Sequence, residues 1–513
     1  MPEHFRALTV ILVLALLTFG FARRPAVGII SPGDFSRRRN LWLALTVIAF
    51  VSHSFWVYGA AALIVLALAQ QREPNIPALF FSLLFLFPLA SADIPGFGLM
   101  NYFFSLNHLR LLALVVLLPA FLSLRQSRNA LPFGRIWPDR LLSGYLLLIV
   151  LLNLRDTTLT DAARQAFYMF VEVVLPYYVI SRGLKDITRF KEALLCFVLA
   201  ALLMAVVAIF EYFRHWLLYK AVVDVMGLDW GYGVYLARSG SLRAIASAGQ
   251  SIPLGFAIAV ALGLYLFLQT SIANRLQRYL GMLVLGMGLI VPLSRGPWVG
   301  AAVIVAVFIA TGKGAIKRLI LLGLTGLLSI PFLALLPGGQ KILDMLPFSG
   351  SVERGTVDYR ERLLENSLVV IQRNPWFGSV DFLKTPEMEA LRQGQGIIDI
   401  VNTYLGVALS YGLVGLVLFA GFFMAVLLSV RKAHRTVRHT DTELGDLGRV
   451  LFATQIGILV MIFTVSSITI IPIVYWSVAG LGVAYAQMVR VSVKANHDRE
   501  TVLVTSHQNR LNR

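Results

Sequence analysis

The chain has 513 residues, 58% of them hydrophobic and 14% charged, with 45 Lys and Arg against 27 Asp and Glu and a formal net charge of +18. Soluble domains average about a quarter charged residues, so this composition excludes a soluble globular protein and describes a polytopic membrane protein, whose spans need runs of roughly 20 apolar residues. A single cysteine, Cys196, excludes intrachain disulfides and cysteine-based metal clusters and reads as a small buried hydrophobe.

The first apolar run, 7–22, is followed by Arg23 and Arg24 with no A-x-A-like cleavage site, and is expected to be a retained membrane anchor. Runs at 41–54 and 56–70 read as a hairpin turning at Ser52-His53-Ser54. Further runs follow at 77–92, 108–124, 141–154, 165–181, 192–212, 251–269, 279–293, 297–312, 319–336, 403–427, 450–466 and 470–487. The expected fold is all-α, an integral membrane protein of about 13–15 transmembrane helices with one large helical outer loop.

The connecting segments alternate in charge. "ARRPAVGIISPGDFSRRRN", "RQSRNALPFGRIWPDR", "SRGLKDITRFK", "ANRLQR", "TGKGAIKR" and "RKAHRTVRHTDTELGDLGR" are basic. The positive-inside rule places them, and the tail after Met488, in the cytoplasm. It fits only if 41–70 crosses twice, which puts the N-terminus outside. Segments 93–107, 155–164, 213–250, Ser294–Pro297, 337–402 and 467–469 then fall on the outer face. The longest, 337–402, holds seven Lys and Arg against nine Asp and Glu. The positive charge is therefore a topology signal with some attraction to anionic lipid, and it lends a nucleic-acid partner little support. The expected division is 1–242 as N-terminal helices, 243–487 as a membrane core including the 337–402 loop, and 488–513 as a basic tail.

Within the large loop, "VDYRERLLENSLVVIQRNPWFG" sets Tyr359, Leu363, Leu364, Ser367, Leu368 and Ile371 on one stripe at helical spacing, stopped by Asn374-Pro375. No internal repeat suggests an inverted-repeat transporter.

Function in such a chain is expected where ionisable residues meet the membrane without a topological reason. Arg295, in "VPLSRGPWVG", lies on the face that charge bias would leave without arginine. A snorkelling anchor is the plain alternative. Gly296-Pro297 makes a tight break, Pro297 suits the first turn of the next helix, and the outward N–H groups of that turn outline an anion site. Arg243, in "RSGSLRAIASAGQSIPLG", is a second candidate with Arg238 a weaker neighbour; a surface charge is its alternative. Arg360 and Arg362 open the loop helix, where most charges are simply solvated. Asp399, Asn402 and Tyr404 stand where the loop re-enters the membrane, and a helix cap is an equal reading there. Glu172, in "RQAFYMFVEVVLPYY", is an intramembrane carboxylate two turns from Arg164, too far to pair with it. It fits either a substrate contact or the partner of another helix's arginine.

Taken in order, Arg243 leading to Pro253-Leu254-Gly255, "LSRGPWVG", "YRERLLENSLVVIQRNPWFGS" and "VNTYLGVALSYGLVGLVLF" resemble the O-antigen ligase and Wzy polymerase superfamily of bacterial envelope glycosyltransferases, closely over 243–425 and only in architecture before that. The family's versions read approximately S-R-G-x-W, then an arginine helix ending P-x-x-G, then H-N-x-Y-L. The resemblance implies a transferase of the bacterial inner membrane that uses no metal and no cofactor. Its donor and acceptor would be undecaprenyl-pyrophosphate-linked glycans, and other polysaccharide export and chain-length proteins would be its partners. An acceptor hydroxyl attacks the anomeric carbon and the pyrophosphate leaves. Arg243, Arg295 and one of Arg360 or Arg362 would then hold the diphosphate, and Tyr404 and Trp376 would line the sugar path or serve equally well as membrane-interface aromatics.

The sequence departs from the ligase pattern at "DIVNTYL", where the histidine is absent, and the whole of 337–402 contains none. Asp399 is a candidate base and Asn402 a group to orient the hydroxyl; alternatively no strong base is required, because a polyprenyl pyrophosphate is already a good leaving group. The missing histidine favours an exopolysaccharide or capsule repeat-unit polymerase over a lipid A-core ligase; a ligase or protein O-oligosaccharyltransferase with the same donor is the enzyme alternative, and a glycan transporter the non-enzyme one.

Overall fold

The structure, a computed structural model, describes residues 1–98, 101–128, 130–228, 236–238, 240–335, 354–393 and 396–511. The Arg238 side chain and the part of the large loop at 336–353 lie outside the described residues.

The chain is helical almost throughout. α1 (Glu3–Val27), α2 (Pro32–Val51) and α3 (Phe55–Gln71) come first, and the break at 52–54 is the expected hairpin turn. The run at 77–92 departs from expectation. Its helix, α4, covers only Ile76–Leu83. Phe87 precedes Pro88, which disfavours helical backbone there, and the chain goes on into an antiparallel hairpin of β1 (Ser91–Pro95) and β2 (Tyr102–Asn107). This hairpin occupies the expected outer loop 93–107 and was not foreseen.

Next come α5 (His108–Gln126), α6 (Trp137–Asp156), α7 (Leu159–Met169), a π turn at Phe170–Val174, α8 (Leu175–Gly183) and α9 (Ile187–Arg214). The C-terminal half holds α10 (Ser251–Leu268), α11 (Arg275–Ile290), α12 (Arg295–Ala310), α13 (Ala315–Leu335), α14 (Arg354–Arg373), α15 (Thr403–Val437), α16 (Thr442–Ile462) and α17 (Ile471–Leu511). Helix starts follow local chemistry: the side chains of Ser31, Thr158, Asp186, Asn274 and Asp441 each accept an N–H of the first turn they precede.

Among the described residues, eight helices are long and apolar enough to cross a membrane, and Phe55–Gln71 and Arg295–Ala310 are shorter apolar helices. The protein is an all-α polytopic membrane protein. One apolar core runs from Ala7 to Val489. α10 is its axis, with nearly every residue from Ser251 to Leu268 buried. α12 and α16 approach backbone to backbone because Gly300 and Gly457 face each other; a Cβ on Gly457 would lie 3.1 Å from the Gly300 carbonyl oxygen.

Away from the large loop, buried ion pairs tie the helix ends. Arg38 meets Glu73 at 2.5 Å and Glu192 at 2.9 Å, and Arg182 meets Asp139 at 2.5 Å. These charges are paired and hydrogen-bonded, the condition under which an ion is tolerated at depth.

The large loop carries its own small core of Leu363, Val370, Phe382, Met388 and Leu391, closed below by Leu409 of α15. The buried stripe of α14 differs from the expected one. Leu363, Ser367 and Val370 face inward, whereas Leu364 and Leu368 are about half exposed, at 47% and 48%. Tyr359 and Ile371 of the expected stripe pack against this core as partly buried residues, with Ile398, Ile400, Val401 and Leu405 beside Leu409 and the 382–391 segment.

A candidate polar site at the large-loop face

Two non-helical turns organise this face. The first, 291–294, joins α11 to α12. Leu293 has a left-handed φ of 51° and Ser294 is extended, so Arg295 becomes the first residue of α12. Pro297 sits in the first turn, as expected, against α10, where a Cβ on Gly255 would come within 2.9 Å of its ring. Trp298 Nε1 donates to the Leu289 carbonyl at 2.7 Å and closes the turn from the other side.

The second turn is 463–470, between α16 and α17. The expected run 450–466 ends as helix at Ile462, four residues early. Thr464 turns its hydroxyl back onto the Met461 carbonyl, a local bond that competes with helix continuation. Breaking the helix there frees the carbonyls of Thr464 and Val465 for other partners.

Four of the sequence-predicted residues meet around these turns. Arg243 Nε donates to the Pro292 carbonyl at 3.2 Å, and Ala244 N–H donates to the Val291 carbonyl at 3.3 Å. The backbone carrying Arg295 lies against the second turn, since a Cβ on Gly296 would come within 2.8 Å of Thr464 Oγ1. Arg360 of α14 donates to the Thr464 carbonyl at 3.2 Å. Asp399 accepts a hydrogen bond from the Ser466 hydroxyl. Arg243, Arg295, Arg360 and Asp399 are therefore linked through 291–296 and 464–466, although they span more than 150 residues of chain.

Tyr359 fixes the last of these. Its hydroxyl donates to the Asp399 carbonyl at 2.9 Å and accepts from the Asp399 N–H at 3.0 Å. Burial pushes the Tyr359 phenol above its ordinary pKa. Thr403 completes the seam by donating to the Val465 carbonyl at 2.9 Å.

The other predicted residues make different contacts. The Asn402 side-chain oxygen accepts N–H bonds from Tyr404 and Leu405 at 2.9 and 3.2 Å, the geometry of a helix cap on α15. The Tyr404 hydroxyl donates to the Leu459 carbonyl at 3.1 Å and its ring meets Phe419 and Phe463, so it points into the bundle. Arg362 is exposed and turns back to the Asp358 carbonyl.

Trp376 is 64% exposed, and it is its backbone that is engaged. α15 breaks at Gly412, and the loop 375–379 fills the gap. Pro375 and Trp376 carbonyls accept the N–H groups of Leu413 and Val414 at 2.8 and 3.2 Å, and Ser379 N–H donates to the Leu409 carbonyl at 2.9 Å.

Glu172 lies in the π turn, remote from these contacts. It pairs with Arg110 of α5 at 2.6 Å, and the same guanidinium lies 3.6 Å from the centroid of the Tyr168 ring. Arg110 also donates to the Ser105 carbonyl of β2, so the cluster ties the unforeseen hairpin to α5 and the π turn. We expect Glu172→Gln to lower the melting midpoint of purified protein, by about 1–3 kcal/mol of stability, while turnover stays near wild type. Arg110→Met should add little to it in the double variant. Lost turnover with unchanged melting would instead make Glu172 a substrate group.

Sequence reasoning missed Thr464 and Ser466. The signal for both was a Thr-x-Ser-Ser cluster closing an otherwise apolar run. Among the described residues, no three His, Cys, Asp or Glu side chains are grouped as a metal site.

Architecture and site together define a multi-pass membrane protein with an arginine-rich polar seam at one membrane face. Residues 280–420 match the model of the family described as O-antigen ligase, Wzy_C. The match covers the Arg295 turn, α14, Asp399 and the kink of α15. Arg243 and the 464–466 turn lie outside it and join the site by geometry. No curated protein matches the chain.

Proposed function

We propose that the protein is a glycosyltransferase of the bacterial inner membrane that polymerises undecaprenyl-pyrophosphate-linked repeat units at the periplasmic face. The observation that carries this reading is the linkage of Arg243, Arg295 and Arg360 through two adjoining turns. A lipid-linked pyrophosphate needs such a set. Its leaving group develops negative charge as the glycosidic bond breaks, and preorganised guanidinium groups stabilise that charge without reorganisation. The N-terminal N–H groups of α12 add partial positive charge at the same place.

In the reaction, the acceptor sugar's hydroxyl oxygen attacks the anomeric carbon of the donor. The bond from that carbon to the pyrophosphate oxygen breaks, and undecaprenyl pyrophosphate departs with the bonding electron pair. Asp399, oriented by Ser466 and Tyr359, takes the hydroxyl proton. No metal is assigned a step.

A second reading is favoured by the description of the matched family: a ligase that passes a finished glycan to lipid A or to a protein, with the same donor. The absence of histidine from 337–402 favours the polymerase. The test is reconstitution of the purified protein with lipid-linked repeat units, with and without chelator. Longer glycans that form equally well in chelator support the polymerase. Finished glycan appearing on lipid A or protein supports the ligase. Movement of the lipid-linked unit without lengthening, or dependence on a divalent ion, overturns the arginine-centred transferase.

A further inference from the structure

Glu211 is the last acidic residue of α9 and is wholly buried, at 0% exposure. It is a carboxylate within the apolar run 192–212 that the sequence reading passed over, and neither the ion pairs nor the seam described above contains it. Its two carboxylate oxygens serve two different turns. Oε1 accepts the Leu218 N–H at 3.1 Å, just beyond the left-handed His215 that ends α9. Oε2 accepts the N–H groups of Ile245 at 3.1 Å and Ala246 at 2.8 Å.

The second turn is the one that carries Arg243. Ala246 there has a φ of 45°, a left-handed conformation that a residue with a Cβ adopts only when its surroundings hold it. Glu211 provides part of that hold by accepting two successive backbone donors. Ser247 provides another by donating to the Phe85 carbonyl at 2.6 Å. On the other side, Arg243 and Ala244 bond to Pro292 and Val291, immediately before Arg295. The contacts form one continuous path: Glu211, then 245–246, then Arg243 and Ala244, then 291–292, then Arg295.

We infer that Glu211 is a positioning residue for the transferase: a buried carboxylate clamp that sets the Arg243 turn, and through it the spacing of Arg243 and Arg295. This rests on the proposed diphosphate role of the two arginines. It goes further by assigning their geometry to a carboxylate that never meets the substrate. An acid is suited to this because it offers acceptors on both oxygens. A glutamine in its place would aim an NH2 donor at one of the two turns.

The experiment uses the full chain in lipid nanodiscs and lipid-linked repeat units isolated from a host lacking this protein. Glu211→Gln should speed hydrogen exchange in the peptide covering 240–250 while peptides from α16 exchange as in wild type. Turnover should fall roughly 10- to 100-fold, the scale of a small misplacement of a reacting group. Acting through Arg243, the change should not add to its loss, so the double variant Glu211→Gln/Arg243→Ala turns over no more slowly than Arg243→Ala alone. Wild-type exchange and turnover in Glu211→Gln, or fully additive losses, would overturn the clamp.

A different failure separates the two levels of argument. Wild-type turnover in Arg243→Ala overturns the arginine site itself, and the catalytic part of this inference with it. Should Glu211→Gln not fold, Glu211→Asp takes its place. It keeps both acceptors but withdraws them by one carbon, and the same exchange and turnover outcomes decide.

Discussion

Arg295→Ala is expected to reduce turnover of lipid-linked repeat units by about 100- to 1000-fold, the range seen when one preorganised charge-stabilising donor is removed. In cells lacking the native gene, the variant should leave single repeat units on the lipid carrier and no polymer. The fold should survive, because several groups besides the guanidinium hold the turn. Leu293 takes the left-handed φ, Gly296 lies against Thr464, Pro297 lies against Gly255, and Trp298 bonds to Leu289. None of these is lost when Arg295 is cut back to Cβ. The melting midpoint should therefore stay near wild type while activity disappears. Arg295→Lys keeps the charge but loses the planar fork that grips two phosphate oxygens, so it should recover only part of the rate. Polymer of normal length from Arg295→Ala would remove Arg295 from the chemistry and return it to the role of a membrane-end anchor.

How far the sequence reaches is visible in the contrast between Arg295 and its surroundings. Arg295 stood out as a candidate because its signals are local: an arginine on a face where charge bias places few, followed at once by Gly-Pro. The hairpin at 52–54 and the stop at Asn374-Pro375 were legible for the same reason. The residues that complete the site act at long range. Arg360 and Thr464 are 104 positions apart, Asp399 and Ser466 are 67 apart, and Glu211 reaches Ala246 across 35. Nothing in local periodicity encodes such pairings, and Thr464 and Ser466 read simply as the polar end of an apolar run. Asn402 and Tyr404 were read with a helix cap as an equal alternative, and local structure engages both. Both sit at a suggestive position, but a side-chain oxygen one residue before a helix is first of all a cap, and a tyrosine beside Phe419 and Phe463 is drawn into the bundle. Glu172 was read with both alternatives open. Its pairing with Arg110 required a hairpin and a π turn that the apolar runs did not reveal.

Gly412→Ala should be the most damaging change outside the arginines, and it should act on assembly before chemistry. Gly412 has φ 66° and ψ −170°, a region essentially closed to residues with a Cβ. A Cβ there would also lie 2.2 Å from the Trp376 carbonyl oxygen and 2.4 Å from the Phe377 nitrogen. That is backbone against backbone, which no rotamer change relieves. The strain alone costs about 1–3 kcal/mol. Driving out the 375–379 loop would also strip the N–H groups of Leu413 and Val414 of their acceptors. An unpaired peptide group away from water costs several kcal/mol more. The variant should therefore fail to give a monodisperse peak in detergent and should be lost from membranes. Gly421→Ala in the same helix is the control: its nearest neighbour outside the helix is a Leu141 methyl at 3.8 Å, and alanine is the better helix former. The same loop continues from α14, the helix that carries Arg360 and Tyr359. The kink thus fixes where the large loop can place its arginine over Thr464, and a well-folded, fully active Gly412→Ala would break that connection between the membrane helix and the site.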